Sequence, residues 1–354
     1  MPLPDWCEAL QGRRSGSLRV PQALFLLLLI PGIAGAAPPE VAWRTHTGDR
    51  AAHGAALLDG GLYVADSRKI TELDPGTGAI RRFLIPPDPT PLSSQTLFAD
   101  GGAIAGDAAG RLVRWVADGP VVVLGALRRA APITALRAGG ERLLAGDAAG
   151  CVTVLDPGAV KAWSHCTSGA IGRALVPAGD LVLAGDASGR VTAWTAGKGG
   201  YRWAYQCDAA LSGPPLVAGD AVLVSGVDGH VYALDRARGA LRWRAHAGDR
   251  IHGAAATGGG LVIVATETRG LVAIDVATGR AAWRASLPAT KASPAVLGDL
   301  VIVGASGHAL HAFVAASGKR RWRVAVPGAV LAPPLSHGGG ILAVTEDGIA
   351  FLLR

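Results

Sequence analysis

The stretch Gly213-Pro-Pro-Leu-Val-Ala-Gly-Asp220-Ala-Val-Leu-Val-Ser-Gly-Val-Asp228-Gly-His-Val-Tyr-Ala-Leu-Asp235-Arg-Ala-Arg-Gly239-Ala-Leu-Arg-Trp243-Arg-Ala245 holds four short apolar runs separated by Gly/Asp turns. Runs this short, rich in Val, Leu, Ala and aromatics and punctuated this way, read as strands joined by hairpins. Glycine serves turns that force φ > 0, and Asp hydrogen-bonds its own turn backbone. The unit recurs. Trp43, Phe83, Trp163, Trp203, Trp243 and Trp283 stand on one 40-residue ladder, Trp322 follows one residue early, and only the rung at Val123 is aliphatic. A period near 40 built of strands points to radially arranged four-stranded units, a β-propeller.

Aligned on this unit, the chain holds eight repeats at about 53–85, 93–125, 132–166, 170–206, 213–245, 253–286, 292–326 and 332–354. The last has three strands and stops before its fourth. The segment 40–46, with Trp43, is a fourth strand without a blade of its own. The reading is therefore an all-β, eight-bladed propeller of four-stranded antiparallel blades, spanning 37–354 and closed by the N-terminal strand completing the last blade. Closure removes the exposed sheet edges that invite aggregation. Each ladder aromatic is expected on an outer strand, docked against the neighbouring blade.

Residues 1–36 read as a secretory signal peptide. Arg13, Arg14 and Arg19 precede an apolar run over 24–30, Pro31-Gly32 breaks it, and Ala34-Gly35-Ala36 offers a cleavage site. That run is too short to span a bilayer, and no transmembrane span is expected. The chain has 354 residues, half of them hydrophobic and 17% charged, too apolar for disorder. Its net charge of +7 is spread over single basic residues and Arg pairs (Arg128-Arg129, Arg320-Arg321), which excludes the basic block of a nucleic-acid surface. An exported setting permits a disulfide. Cys7 leaves with the signal. Cys166 has two pairings open to it: Cys207, one period on, and Cys151, on the adjacent strand. No Cys pair has metal-ligand spacing.

Ala233-Leu-Asp235-Arg-Ala-Arg-Gly239-Ala-Leu-Arg-Trp243 and Ala273-Ile-Asp275-Val-Ala-Thr278-Gly279-Arg-Ala-Ala-Trp283 resemble the tryptophan-docking motif of PQQ-type propellers, with a weaker copy in Ser317-Gly318-Lys-Arg-Arg-Trp322. The likeness spans nearly all of 38–354. One branch of that family comprises quinoprotein dehydrogenases holding PQQ, usually with Ca²⁺, at the propeller centre; many carry an adjacent Cys-Cys pair, which is absent here. The other is the BamB-type assembly scaffold of the bacterial outer membrane, similar in size, blade number and export signal. A lipoprotein of that branch needs Cys just after cleavage, where this chain has Ala37-Pro38-Pro39.

Asp107, Asp147 and Asp186 recur in Gly-Asp-Ala-(Ala/Ser)-Gly turns, with Asp228 and Asp347 in the equivalent turns. Converging carboxylates can bind Ca²⁺, but a turn repeated because its blade is repeated explains them. An internal echo pairs Trp43-Arg-Thr-His46-Thr-Gly48-Asp49-Arg50-Ala-Ala-His53 with Trp243-Arg-Ala-His246-Ala-Gly248-Asp249-Arg250-Ile-His252. Both copies span a fourth-to-first-strand link, so Arg50, His53, Arg250 and His252 are candidates for decorating one rim with donors for an acidic partner. No Ser-His-Asp or Cys-His order argues for nucleophilic catalysis. The expectation is a non-catalytic exported scaffold, periplasmic or extracellular and peripheral to the outer membrane. It would be a monomer binding protein partners of the cell envelope within a larger complex, without catalytic, metal or cofactor residues. The alternatives are a PQQ- and Ca²⁺-dependent oxidoreductase and a ligand-sensing envelope module.

Overall fold

The computed structural model describes residues 38–48, 55–58, 60–94, 97–99, 102–115, 121–127, 130–156 and 160–354. The expected signal segment 1–36 and Cys7 lie outside them. The described residues form thirty-two strands and no helix, and the strands group into eight four-stranded antiparallel sheets. No helix among them is long and apolar enough to cross a membrane. Seven sheets are built from four consecutive strands, giving blades at 55–84, 97–126, 133–166, 171–206, 216–246, 256–285 and 295–325.

The eighth blade joins the two ends of the chain. Leu335–His337, Gly340–Val344 and Ile349–Leu353 supply its first three strands, and Val41–His46 its fourth. Trp43 lies opposite Leu352, Arg44 opposite Phe351, Thr45 opposite Ala350 and His46 opposite Ile349. Beyond this ladder the Glu40 amide donates to Arg354 O at 2.7 Å, and the Arg354 amide donates to Glu40 O at 3.0 Å.

Eight apolar clusters lie between the eight neighbouring blade pairs, one to each. Period-two alternation produces them. In the fifth blade, Val222, Val224, Tyr232 and Leu234 face the fourth blade, while Leu223, Val231 and Ala233 face the sixth. The second and third strands are thus buried on both sides, whereas the fourth, Leu241–His246, is half exposed along its length. Leu62, Val64 and Leu73 of the first blade meet Leu342, Ala350 and Leu352 of the eighth, so the ring closes through core packing as well as through a shared sheet.

A histidine ring is buried in this core without compensation. His311, on the third strand of the seventh blade, is 1% exposed, and neither ring nitrogen has a hydrogen-bond partner among the described residues. Burial, reinforced by the charges of Arg323 and Arg320, pushes its pKa down. The unfolded chain then binds the extra proton more readily than the fold. This contribution to stability is complete above the unfolded value of about 6.5 and diminishes as pH falls through it. A melting-temperature profile from pH 7.5 to 5 is expected to slope less in His311→Leu than in the parent; superimposable slopes would remove the role assigned to this imidazole.

Candidate functional site

The ladder residues divide by environment. The Trp43 Nε1 donates to Pro75 O at 3.2 Å, Trp163 to Ala196 O at 3.1 Å, Trp203 to Arg236 O at 2.9 Å, Trp243 to Val276 O at 2.8 Å and Trp283 to Ala315 O at 2.8 Å. Each acceptor lies in the turn between the third and fourth strands of the next blade. Three residues later in every case comes a glycine at positive φ: Gly78, Gly199, Gly239, Gly279 or Gly318. A Cβ on Gly279 would come to 2.7 Å from the Trp243 ring, and one on Gly239 to 2.5 Å from the Trp203 ring. The φ of +71° at both positions and the indole lying on the backbone each demand glycine.

Trp322 has no such turn to meet, because in the eighth blade that turn is replaced by the chain ends. It is buried instead against Phe351 and Leu353. Phe83 departs from the expected pattern. It is 47% exposed, with the Lys69 ammonium 4.3 Å from its ring centroid. A phenyl ring lacks the N–H that fixes the indoles. The first two blades are joined instead by Trp115, on a third strand, whose Nε1 donates to Ile85 O at 3.0 Å and whose ring packs with Tyr63 and Leu84. Trp115 stands off the 40-residue ladder, so periodicity gave no signal for it.

Cys166 is bonded to Cys151, its directly opposed partner across the third and fourth strands of one blade. The alternative pairing with Cys207 is not formed. Cys207 is a free thiol, 2% exposed, in the core between the fourth and fifth blades. Burial, with Asp228 and Asp208 nearby, pushes its pKa up to about 12.

Antiparallel succession places the fourth-to-first links and the second-to-third turns on one face of the ring. The repeated Asp turns lie there. Asp107 accepts the amides of Ala109 at 2.9 Å and Arg111 at 2.8 Å, Asp147 that of Cys151 at 2.8 Å, and Asp186 those of Ser188 at 2.9 Å and Arg190 at 3.2 Å. Asp228 accepts the His230 amide at 3.2 Å and contacts its Nδ1 at 2.9 Å. These carboxylates organise their own turns. Among the described residues no three His, Cys, Asp or Glu side chains gather to hold a metal ion.

Arg50 and His53 lie outside the described residues. Arg250 and His252 lie on the link from the fifth to the sixth blade, and His252 Nε2 is 3.1 Å from Glu267 Oε2. On this same sector is a cavity of about 480 Å³ lined by His246, Gly248, Thr268, Arg269, Arg284, Ser286 and Leu287. Arg284 Nη1 donates to Ala247 O at 2.6 Å. A Cβ on Gly248 would lie 3.2 Å from Arg269 Cδ and 3.5 Å from Arg284 Nη1, so both arginine side chains pass over one glycine. The sequence echo leads to this sector but not to these two arginines, which come from a second-to-third turn and a fourth strand of the next blade.

The first strands of successive blades approach one another and line the middle of the ring. By sequence, the charged or titratable residues of these eight strands are Arg137, Arg173 and His337, and none is Asp, Glu, Asn or Gln. Calcium is held by six to eight oxygen ligands, chiefly carboxylate and carbonyl. The first strands thus offer a calcium-held quinone no side-chain carboxylate, only hydroxyls and backbone carbonyls.

Ring geometry and docking turns together define an eight-bladed propeller of the PQQ-like class. The family profile described as outer membrane protein assembly factor BamB matches residues 160–293, 227–326 and 283–353, more than half of the chain, and the chain belongs to that family. No curated protein matches its sequence. Among solved structures, it is similar to BamB from Moraxella catarrhalis, with a TM-score of 0.73 and 17% identity over 89% of this chain and 99% of that one. It is also similar to the computationally designed protein Ika8, with a TM-score of 0.76 and 18% identity over 90% and 100% of the two chains. The quinohemoprotein alcohol dehydrogenase from Comamonas testosteroni shares the fold as well, with a TM-score of 0.74 and 14% identity over 92% of this chain and 77% of that enzyme.

Proposed function

We propose that the chain is a non-catalytic scaffold of the cell envelope that binds another protein through the face carrying its fourth-to-first links. The observation that carries this reading is membership, over residues 160–353, in a family described as an outer-membrane assembly factor. The reading places the protein outside the cytoplasm, at or near the outer membrane, as one subunit of a larger complex. A dehydrogenase shares the fold, but fold alone does not transfer chemistry, and the eight first strands carry no carboxylate or carboxamide residue for the calcium such an enzyme uses.

The test is a photo-crosslinkable residue placed at Arg250, on the proposed face, or at Arg238, on the opposite face, in cells expressing the full chain. A discrete adduct to one envelope protein from position 250 and none from 238 is expected. No adduct from either, together with saturable PQQ binding by the purified protein in calcium, would replace the scaffold with the oxidoreductase.

A further inference from the structure

The cavity between the fifth and sixth blades carries a feature that scaffolding in general does not require. Arg269, from the second-to-third turn of the sixth blade, and Arg284, from its fourth strand, converge over Gly248 of the incoming link. Among the described residues neither guanidinium is ion-paired: Arg284 is hydrogen-bonded to a backbone carbonyl, and Arg269 has no carboxylate within ion-pair distance. Elsewhere in the ring, arginines close to acids are paired, as Arg242 is with Asp220 and Asp235, and Arg244 with Asp208.

The carboxylates around the cavity are already engaged. Asp249 accepts the Arg250 amide at 2.7 Å, the Thr268 amide at 2.9 Å and the Thr268 hydroxyl at 2.5 Å. Glu267 faces His252, and Asp228 faces His230. The sector therefore presents two planar cations, flanked by His246 and Ser286; the Asp249 carboxyl, held below its ordinary range first by the Thr268 hydrogen bond and to a lesser degree by the charge of Arg269, spends its oxygens on its own loop. Paired guanidinium forks match carboxylates bidentately. The cavity is too small for a folded domain and open to the face.

We infer that this cavity is a carboxylate-binding site for an acidic, extended segment of the protein partner, with Arg269 and Arg284 as the paired anion clamp. The inference rests on the scaffold reading and names the chemistry its partner must present. Positive charge on the rim also steers such a segment toward the site at low ionic strength.

The test is fluorescence anisotropy of the purified full chain with a labelled ten-residue glutamate peptide, using inorganic phosphate as competitor. Saturable binding is expected. It should weaken about tenfold or more in Arg269→Gln/Arg284→Gln, since two charge-assisted bidentate contacts are lost. It should not change in Arg236→Gln/Arg238→Gln, which removes the same charge from the opposite face. Absence of binding by the parent, or equal loss in both double variants, overturns the site. Displacement of the peptide by stoichiometric phosphate assigns the clamp to free oxyanions and overturns the peptide assignment. The photo-crosslink at position 250 separates the two readings. An adduct that persists undiminished in Arg269→Gln/Arg284→Gln leaves the scaffold standing and removes the clamp, whereas a parent that forms no adduct removes the scaffold itself.

Discussion

A chain lacking residues 38–47 is expected to lose its cooperative thermal transition, or to melt far below the full-length protein. The deletion strips the eighth blade of its outer strand, exposes the edge of Ile349–Leu353, and removes Trp43 from the first-blade turn it caps through Pro75 O. Phe351, Leu352 and Leu353 are fully buried in the intact ring. Domains of ordinary stability have only about 5–15 kcal/mol to lose. A missing sheet edge, a lost indole and a weakened interface between the eighth and first blades together approach that sum. Scanning calorimetry reads the effect, and a synthetic peptide covering 38–47, added in trans, is expected to restore the transition in proportion to its concentration. An unchanged melting temperature in the deletion would mean that the blade does not depend on its fourth strand.

Trp283→Ala carries the next largest expected effect, roughly 3–5 kcal/mol of lost stability, the range for truncating a large buried aromatic. The indole is 9% exposed, donates to Ala315 O at 2.8 Å and lies on Gly318, so truncation opens a cavity and orphans a turn carbonyl at once. Trp243→Ala, with the same contacts to Val276 and Gly279, should behave alike. Phe83→Ala supplies the contrast. At 47% exposure it should cost about 1 kcal/mol or less. Chemical denaturation of the three variants measures this. Equal losses at Phe83 and Trp283 would show that position on the ladder, rather than indole docking, determines the energetics.

That contrast marks how far the sequence could be read. The repeat, the blade count and the closing strand were legible because each follows from local pattern: alternation of apolar residues, Gly/Asp punctuation, and a Trp-bearing strand that one end lacks and the other supplies. Phe83 was not legible as an exception, because periodicity reports position and not what the ring meets. The disulfide choice was open for the same reason: two spacings were compatible, and only the register setting Cys151 against Cys166 decides between them. The rim echo led to His252 and Arg250, the right sector but not the clamp. Arg269 and Arg284 are fifteen residues apart and separated by a whole strand, and their convergence over Gly248 arises from blade packing. His311 resembles any strand histidine in the sequence; its isolation comes from the seventh blade's surroundings.

The face assignment, the docking turns and the anion clamp all depend on one ring sealed by its two chain ends. Hydrogen–deuterium exchange on the full chain tests this directly. The amides of Val41–His46 and Ile349–Leu353 that pair across the seal are predicted to exchange as slowly as those of the fully buried strand Leu300–Ala305. Exchange of Val41–His46 at the rate of an unstructured peptide, with Leu300–Ala305 still protected, would contradict the account.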